Sequence, residues 1–412
     1  MRRFAEEKRS FWTMVLLVSL TLVTAFSTYA FAESATKPVK LGIMSSFSGT
    51  ASVLTLRSLD GCKLCVEKTY NGKILGRPIE LIVRDDAMSP QKAVENFREL
   101  NLVHDVDFTL GMISSSAACA VSPIAKKLQK PILYWDSKSP KQVVELGGRY
   151  VFRTVSDTYM DVSAVTQVCS KMPWTKYVTI SPDYEYGHSV VDLFKQHLGK
   201  LKPNAQIVGE HWPKLGEVDY TPYIPAIIRA KPDCLYVGLW GGDGMTFIRQ
   251  AKPYGLFEKM AVIILNEEDT LYAMGMEFPE GIFMEANYHF NFEDTKVNQE
   301  YVKSYMEKYG ALPTSHSMYG YVGTQFVLEA MKKAKTTDKE KVIDALRGLT
   351  LETTVGAMTI RKYDQQANMP VYVGQTYKSP EYPKHLVLKK VGFKRGEEIM
   401  IPIEEVKKMR GE

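Results

Sequence analysis

Short apolar runs alternate with amphipathic helical segments along most of the chain after residue 38. Runs such as 39–47 and 108–113 are typical of buried strands, and the segments after them have apolar positions three and four residues apart, as in a helix with one buried face. The first series predicts strands over 39–47, 79–84, 108–113 and 131–135. This alternation favours a mainly parallel sheet with helices on both faces.

A second, similar series begins near Asp157. It predicts strands over 177–181, 205–210, 234–239 and 261–265. Thr221 and Pro222 open a predicted helix, and the glycine-rich segment 238–244 precedes another. Two such series in 412 residues predict an α/β protein with two doubly wound domains.

Three consecutive serines, Ser114, Ser115 and Ser116, lie where the 108–113 strand ends and a predicted helix over 117–129 begins. Free backbone N–H groups and the positive end of the helix dipole suit an anion at such a position. One serine could instead simply cap the helix. The sequence pattern alone leaves both interpretations open.

Residues 1–32 have the pattern of a secretory signal peptide. A basic start precedes an uncharged, mostly apolar stretch over 11–26, and Ala30-Phe31-Ala32 forms a small-residue cleavage site. We expect cleavage after Ala32. The alternative, an uncleaved membrane anchor, is disfavoured because the apolar stretch is short for a membrane span. The first cysteine is Cys62, so no cysteine at the cleavage site can carry a lipid.

Composition is ordinary for a soluble globular protein, with 45% hydrophobic and 24% charged residues. Removal of residues 1–32 takes away four bases and two acids and lowers the formal charge from +5 to +3. The remaining basic residues are scattered and matched by acids. The sequence therefore gives no support for nucleic-acid binding.

Five cysteines remain after cleavage, at positions 62, 65, 119, 169 and 234. Export permits disulfides, but an odd count leaves at least one thiol free. Cys62 and Cys65 have C-x-x-C spacing within a predicted helix, and no second such pair accompanies them. We expect buried thiols, with a disulfide as the alternative and a metal site disfavoured.

Motifs of nucleotide binding and hydrolysis are absent from the sequence. It contains neither G-x-G-x-x-G nor a P-loop, and neither G-x-S-x-G nor H-E-x-x-H. His188 and His316 lack a nucleophile nearby in sequence, and we expect them to be polar surface or cleft-lining groups. The sequence thus predicts a protein without a cofactor and without catalytic residues.

Eight short stretches, in order along the chain, resemble the type I periplasmic solute-binding proteins of ABC transporters, in the leucine/isoleucine/valine-binding and amide-binding branch. They are VKLGIMSSFSG at 39–49, NGKILGRPIEL at 71–81, DD at 85–86 followed by Pro90 and KAV at 92–94, Gly111 followed by SSS at 114–116, PDYEYG at 182–187, DYTP at 219–222, KPD at 231–233 and FPEG at 278–281.

The resemblance implies two α/β lobes joined by three crossovers, with a small solute bound between the lobes. We place the crossovers near 153–157, 284–288 and 352–356. Lobe one then comprises 38–154 plus 288–351, and lobe two comprises 155–287 plus 352–412.

The resemblance also assigns roles in the cleft. Ser115 and Ser116 match the positions that bind the ligand carboxylate. Tyr186 matches a tyrosine that closes on the ligand from lobe two, and Trp240 matches an aromatic wall of the cleft. Glu267 matches the carboxylate that pairs with the ammonium of an amino acid.

Other positions depart from the family pattern. Asp136, Ser137 and Lys138 stand where amino-acid binders have small residues and a threonine. A charged pair in a closing cleft costs desolvation energy unless each charge finds a partner. Leu54 replaces a tyrosine of several relatives, and Glu268 is one residue from the predicted ammonium ligand. We therefore include Asp136, Ser137 and Lys138 among the predicted ligand-binding residues and keep open the identity of the solute.

These observations together predict an exported, non-enzymatic, monomeric component of an ABC importer. It would capture a small polar solute, an amino acid or a related compound, and deliver it to a membrane permease. One alternative is a binding protein for an aromatic or other organic acid, an amide or a urea. Another is a periplasmic ligand sensor of the same fold. We expect no metal and no nucleic-acid partner.

Overall fold

Two sheets organise the computed structural model, which describes residues 37–265 and 268–412. The predicted signal peptide lies outside the described residues. Both sheets are mainly parallel, as the alternating pattern predicts. The prediction of an α/β fold with two doubly wound units is therefore confirmed.

The first sheet has six strands in the order β2-β3-β1-β4-β5-β6. Its strands are β1 (Val39–Ser45), β2 (Lys73–Ile74), β3 (Arg77–Asp85), β4 (Phe108–Gly111), β5 (Ile132–Tyr134) and β6 (Val151–Arg153). Only the β2–β3 pair is antiparallel. The central strands are buried on both faces, which explains their continuous apolar sequences.

Seven helices pack around the first sheet. They are α1 (Ser52–Leu64), α2 (Pro90–Arg98), α3 (Ser115–Leu128), α4 (Lys141–Val144) and, from later in the chain, α11 (Lys296–Tyr309), α12 (Ser315–Ala334) and α13 (Lys339–Leu346). A π-helical turn follows α1 at Cys65–Thr69 and another follows α2 at Glu99–Val103. Ser89 caps α2, with Pro90 directly after it, and a Thr314–Ser317 capping box starts α12.

The second sheet has seven strands in the order β15-β14-β11-β10-β9-β7-β8. They are β7 (Lys176–Ile180), β8 (Gln206–His211), β9 (Cys234–Val237), β10 (Ala261–Leu265), β11 (Phe283–Ala286), β14 (Val371–Tyr377) and β15 (Val387–Lys394). The last two strands are antiparallel to their neighbours.

Helices of the second sheet come mostly from the middle of the chain. They are α5 (Thr158–Lys171), α6 (Glu185–Leu201), α7 (Tyr223–Arg229), α8 (Gly241–Ala251), α9 (Leu256–Lys259) and α10 (Glu268–Met274). The hairpin strands β12 (Thr350–Thr353) and β13 (Gly356–Thr359) and the short helices α14 (Gly396–Ile399) and α15 (Ile403–Arg410) complete the fold. We call the first sheet with its seven helices the first-sheet half, and the second sheet with its six helices the second-sheet half.

The third passage between the halves differs from the expectation. At 352–356 the chain turns within the β12–β13 hairpin. It then stays beside β6, where Arg153 N donates to Gln365 O at 3.0 Å and Ala367 N donates to Arg153 O at 2.8 Å. The chain joins the second sheet only at Val371. Ile360 and Ala367 are buried in the core of the first-sheet half, which holds this segment there.

The C-terminal helix also departs from the expected division, in which 352–412 belongs mostly to lobe two. Val406 of α15 packs against Val144 of α4. Arg410 Nε donates to the carbonyl oxygen of Val144 at 2.8 Å. The end of the chain is thus attached to the first-sheet half, because α15 buries its one apolar face there.

Helices α1 and α12 pack closely against each other beside the space between the halves. A Cβ atom on Gly61 of α1 would lie 1.8 Å from the carbonyl oxygen of Ser317, and one on Gly320 of α12 would lie 1.8 Å from that of Ser58. Only glycine allows the two backbones to approach this closely. The contact fixes the start of α12, with His316, against Ser58 of α1.

Candidate functional site

The carboxyl ends of the two parallel sheets meet across a narrow space. In the first sheet the strand order reverses between β1 and β4, and in the second sheet it reverses between β7 and β9. Loops that leave such switch points separate from each other and open a crevice in which α/β proteins bind ligands. Both crevices face the same space, so residues from both halves line it.

A small cavity lies in this space. Its volume is about 30 Å³, which is room for only one or two water molecules. Its lining residues are Leu54, Ile113, Asp136, Lys138, Tyr184, Tyr186, Trp240 and His316. Four of the eight, Asp136, Lys138, Tyr186 and Trp240, are residues that the sequence predicts for the site.

Asp136 belongs to a buried chain of charges that joins the halves. Its Oδ1 lies 3.4 Å from His316 Nε2, and its Oδ2 accepts a hydrogen bond from Ser58 at 3.1 Å. His316 Nδ1 pairs with Asp269 Oδ2 at 2.5 Å, and Asp269 Oδ1 accepts from Thr314 at 2.7 Å. Burial lowers the pKa of His316, but the two aspartates outweigh burial and raise it to about 10. The imidazole is therefore a cation at neutral pH.

Lys138 crosses from the first-sheet half to the second. Its Nζ donates to Asp161 Oδ2 at 2.7 Å and to Asn287 Oδ1 at 3.2 Å, and it lies 3.9 Å from Glu285 Oε1. Burial lowers the pKa of Lys138, but the neighbouring acids, Asp161 first, raise it above its ordinary value. Burial, reinforced by Asp161, raises the pKa of Glu285 well above its usual range. The positive charge of Lys138 is thus already paired with the carboxylate of Asp161 in the second-sheet half.

Glu268 begins α10 in the second-sheet half. Its Oε2 accepts a hydrogen bond from the Ser315 hydroxyl at 2.5 Å, whereas its Oε1 has no partner. Burial, with a smaller contribution from Asp269, raises the pKa of Glu268 to about 8. Thr314, Ser315 and His316, at the start of α12, therefore bond to the two acids that begin α10. These acids are Glu268 and Asp269.

Aromatic rings of the second-sheet half form the opposite wall. The ring centroid of Tyr184 lies 6.2 Å from that of Tyr186 and 6.4 Å from that of Trp240. Leu54 and Ile113 face these rings from the first-sheet half. The arrangement can enclose an apolar or aromatic group, with charged groups at one end.

Three predicted site residues lie outside the cavity lining. Ser115 is buried, and its Oγ accepts a hydrogen bond from Ser139 N at 3.3 Å. Ser116 is half-buried on α3. The hydroxyl of Ser137 accepts from Gln142 Nε2 at 2.7 Å. Ser114, the first of the three serines, caps α3 by accepting from Ala117 N at 3.3 Å. Glu267 lies outside the described residues.

The sequence predicted no role in the site for Tyr184, Ile113, Asp161 or Glu285, and it predicted His316 only as a surface or cleft-lining group. A signal for Glu285 was available, because a lone acid interrupts the buried strand Phe283–Ala286. Ionisable residues are almost never fully buried unless they are paired. Such interruptions therefore mark buried polar networks.

Direct contacts join the two halves at the rim of the cavity. Thr50 Oγ1 donates to Asp243 Oδ1 at 2.8 Å. Ser139 donates to Glu185 Oε1 at 2.9 Å, and Lys141 pairs with Glu185 Oε2 at 3.1 Å. The structure is therefore a closed conformation, in which the halves contact each other beside the cavity.

No cluster of possible metal ligands occurs within 37–265 and 268–412. Across the same residues, no helix has both the length and the hydrophobicity needed to cross a bilayer. All five cysteines after residue 32 are free, and burial raises the pKa of Cys62 to about 12. These thiols are inert at neutral pH, because the reactive thiolate is not formed.

Comparison with known families decides what kind of protein has this cleft. The sequence profile of the periplasmic binding protein family matches residues 38–379. The chain belongs to this family. The predicted resemblance to type I periplasmic solute-binding proteins is confirmed at the level of this family.

Among similar sequences is Leu/Ile/Val-binding protein homolog 7 of Brucella melitensis. It is 26% identical over 357 residues, which cover 81% of this chain and 87% of the relative. This periplasmic binding protein is thus similar to its relative along about four fifths of its length.

Two solved structures share the fold. An amino acid ABC transporter substrate-binding protein from Pseudomonas fluorescens has a TM-score of 0.81 at 24% identity, with 91% of this chain and 98% of that chain covered. A solute-binding protein from Rhodopseudomonas palustris, in complex with 3,4-dihydroxybenzoic acid, has a TM-score of 0.81 at 23% identity, with 89% and 99% covered. Both neighbours are binding proteins of ABC transporters, and their likeness shows that this chain shares their fold.

Proposed function

We propose that this periplasmic binding protein captures its solute in the cavity between the halves and delivers it to an ABC permease. The observation that carries the proposal is the cavity itself, because its lining comes from both halves and combines aromatic walls with charged groups. Asp136, Lys138, Tyr186 and Trp240 contact the solute in this proposal, together with Tyr184 and His316. Ser115, Ser116 and Ser137 would act indirectly, by shaping the loops behind the cavity.

The two halves would act as lobes that open and close about the three passages between them. A solute that touches both lobes stabilises the closed form, since only that form makes both sets of contacts. The room now present is too small for an amino acid, so binding requires at least partial opening. The protein would work as a monomer, because both sides of the cleft belong to one chain.

The solute would be an amino acid or a related compound with an apolar body. Leu54, Ile113 and the aromatic wall suit the body, and Asp136, the acid of the cavity lining, suits an ammonium group. The Pseudomonas fluorescens neighbour, described as an amino acid transporter component, is compatible with this choice.

An aromatic acid is the second candidate solute. Three aromatic rings line one small cavity, and Lys138 is one of its charged groups. The Rhodopseudomonas palustris neighbour holds 3,4-dihydroxybenzoic acid. Stacking on Trp240 and an ion pair with Lys138 would bind such a compound.

A thermal-shift screen of amino acids, amides, ureas and aromatic acids tests the proposal. A ligand at 100 times its Kd adds about 2.7 kcal/mol of stability. We expect a shift with one chemical class and its loss in Trp240→Ala. Shifts that persist unchanged in Trp240→Ala would place the binding site elsewhere.

Export through the predicted signal peptide belongs to the same proposal. Cleavage after Ala32 would release the chain into the periplasm. N-terminal sequencing of the exported protein should begin at Glu33, and a retained basic N-terminus would contradict cleavage.

A further inference from the structure

A second and much larger pocket lies between the halves, beside the cavity. Its volume is about 570 Å³, within the range of about 300–1,000 Å³ that is typical of sites for small molecules. Its lining comes mainly from α1 and the segment 310–314 in the first-sheet half, and from α10 and the loop 381–385 in the second-sheet half. We call it the lateral pocket.

The His316–Asp269 ion pair separates the lateral pocket from the cavity. His316 lines the cavity, whereas Asp269 lines the lateral pocket. Within the part of the chain that the structure describes, the two spaces share no lining residue. Asp269 and Thr314 form the buried floor of the lateral pocket, and each is at most 4% exposed. The lateral pocket is therefore a separate space and not an extension of the cavity.

The acids of the described lining are already balanced by other charges. Asp269 pairs with His316 at 2.5 Å and accepts a hydrogen bond from Thr314 at 2.7 Å. Glu381 lies at the exposed rim together with Lys384, whose charge is opposite. Neither carboxylate therefore excludes an anion from the pocket.

Arg57 is the cation that lines the lateral pocket from α1. It is half-buried and forms no ion pair with another residue of 37–265 or 268–412. Burial lowers its pKa, but the nearby Tyr305, Asp269 and Asp60 raise it above the ordinary value, so the group is a cation. A guanidinium presents its N–H donors in a planar fork that matches a carboxylate. Arg57 can therefore bind the carboxylate of a ligand.

Three rings of the second-sheet half belong to the same lining. The ring centroid of His385 lies 4.6 Å from that of Tyr272 and 6.0 Å from that of Tyr382. Such separations are typical of aromatic groups that pack against each other. Val53 and Leu312 line the pocket from the first-sheet half. A flat apolar body can therefore lie between the rings and these aliphatic side chains.

We infer that the lateral pocket is a second ligand site, which binds a small organic acid with a flat apolar or aromatic body. The carboxylate pairs with Arg57, and the body packs between the rings and Val53. Because both halves line the pocket, an acid bound there also favours the closed conformation. The inference goes beyond the proposed function, since the solute of the cavity takes no part in it.

Matched compounds that differ in one terminal group test the inference by calorimetry on the protein without its signal peptide. The series is 3-phenylpropionate, 3-phenylpropanamide and 3-phenylpropylamine. We expect the acid to bind at least about tenfold more tightly than the amide or the amine, because only the carboxylate makes charge-assisted hydrogen bonds with Arg57. Equal or tighter binding of the amide or the amine would overturn the assignment of an acid.

Two variants locate the site. Arg57→Met should weaken binding of 3-phenylpropionate by about tenfold or more, because it removes the guanidinium and keeps an unbranched side chain. Ala273→Trp should also weaken it, since Ala273 is an exposed lining residue of α10 and an indole there would occupy the pocket without altering Arg57. Lys63→Met is the matched control, because Lys63 is an exposed cation of α1 outside the lining. Thermal melting checks that each variant folds.

Trp240→Ala distinguishes the lateral pocket from the cavity. This variant should bind 3-phenylpropionate about as tightly as the native protein, since Trp240 lines the cavity and not the lateral pocket. Two sites in the titration, one of which disappears in Arg57→Met, would also support the inference. Binding that is lost in Trp240→Ala but normal in Arg57→Met and Ala273→Trp would place the acid in the cavity, which overturns the second site and leaves the proposed function standing. Absence of acid binding also overturns the inference, whereas the thermal-shift screen with Trp240→Ala tests the proposed function separately.

Discussion

His316 Nδ1 lies 2.5 Å from Asp269 Oδ2, and each side chain is only 1% exposed. A histidine of the first-sheet half and an aspartate of the second thus form a buried ion pair across the cleft. Asp136 approaches the other ring nitrogen, and Glu268, Lys138 and Arg57 lie around the same pair. The pair joins the two halves in the closed conformation.

Stability should therefore fall as pH rises above neutrality. The pKa of His316 is raised from 6.5 to about 10, so its contribution is complete below pH 6.5 and is lost as pH rises through 10. Glu268, with a pKa raised from 4.5 to about 8, acts in the same direction between those values, because the folded state holds the extra proton. Calorimetric melting from pH 6 to 10 should show this decline, and His316→Gln should flatten it. A melting temperature that rises over this range would contradict the ion pair.

Lys138→Met should destabilise the fold strongly, because it leaves Asp161 and Glu285 buried without their cation. Breaking a buried pair in this way costs about 3–5 kcal/mol. Lys141→Met is the matched control, since Lys141 pairs with Glu185 at the exposed rim and such pairs contribute about 0–1 kcal/mol. Urea unfolding of both variants measures the difference. Equal losses would show that the Lys138 network contributes no more than a surface pair.

Gly320→Ala should disturb both the fold and the cleft. The new methyl group would collide with the backbone oxygen of Ser58, and overpacking of this kind costs about 1–3 kcal/mol. Displacement of α12 would move His316 and weaken solute binding. Gly199→Ala serves as the control, because no heavy atom lies within 4 Å of the added group in α6. It should be neutral or stabilise the protein by about 0.4–1 kcal/mol, whereas similar melting of the two variants would refute the close contact.

Trp240→Ala should reduce the affinity for the best ligand of the thermal-shift screen by about tenfold or more, because a buried aromatic side chain contributes at least about 1.5 kcal/mol. Trp212→Ala is the control. Trp212 stacks on His188 with ring centroids 4.3 Å apart, away from the cavity lining. Calorimetric titration distinguishes them, and an equal loss in both variants would argue for a general effect on stability.

Local sequence predicted eight strands in their order along the chain: β1, β3, β4 and β5 of the first sheet and β7 to β10 of the second. Continuous apolar runs marked most of these eight, since a strand buried on both faces needs apolar side chains throughout. Ser89 with Pro90 marks the start of α2, because capping depends only on neighbouring residues. The resemblance supplied the family and several residues of the cavity.

Tertiary structure alone decided which charges meet. Asp136, Lys138 and His316 are visible in the sequence, but their partners Asp269, Asp161 and Glu285 come from distant segments of the second-sheet half. The third passage, after Ala367, also depended on long-range pairing with Arg153 rather than on a local signal. Burial strengthens these ion pairs, because a charge in the interior is not screened by water. Local patterns therefore specify the elements, whereas the electrostatics of the cleft arise only when the two halves close.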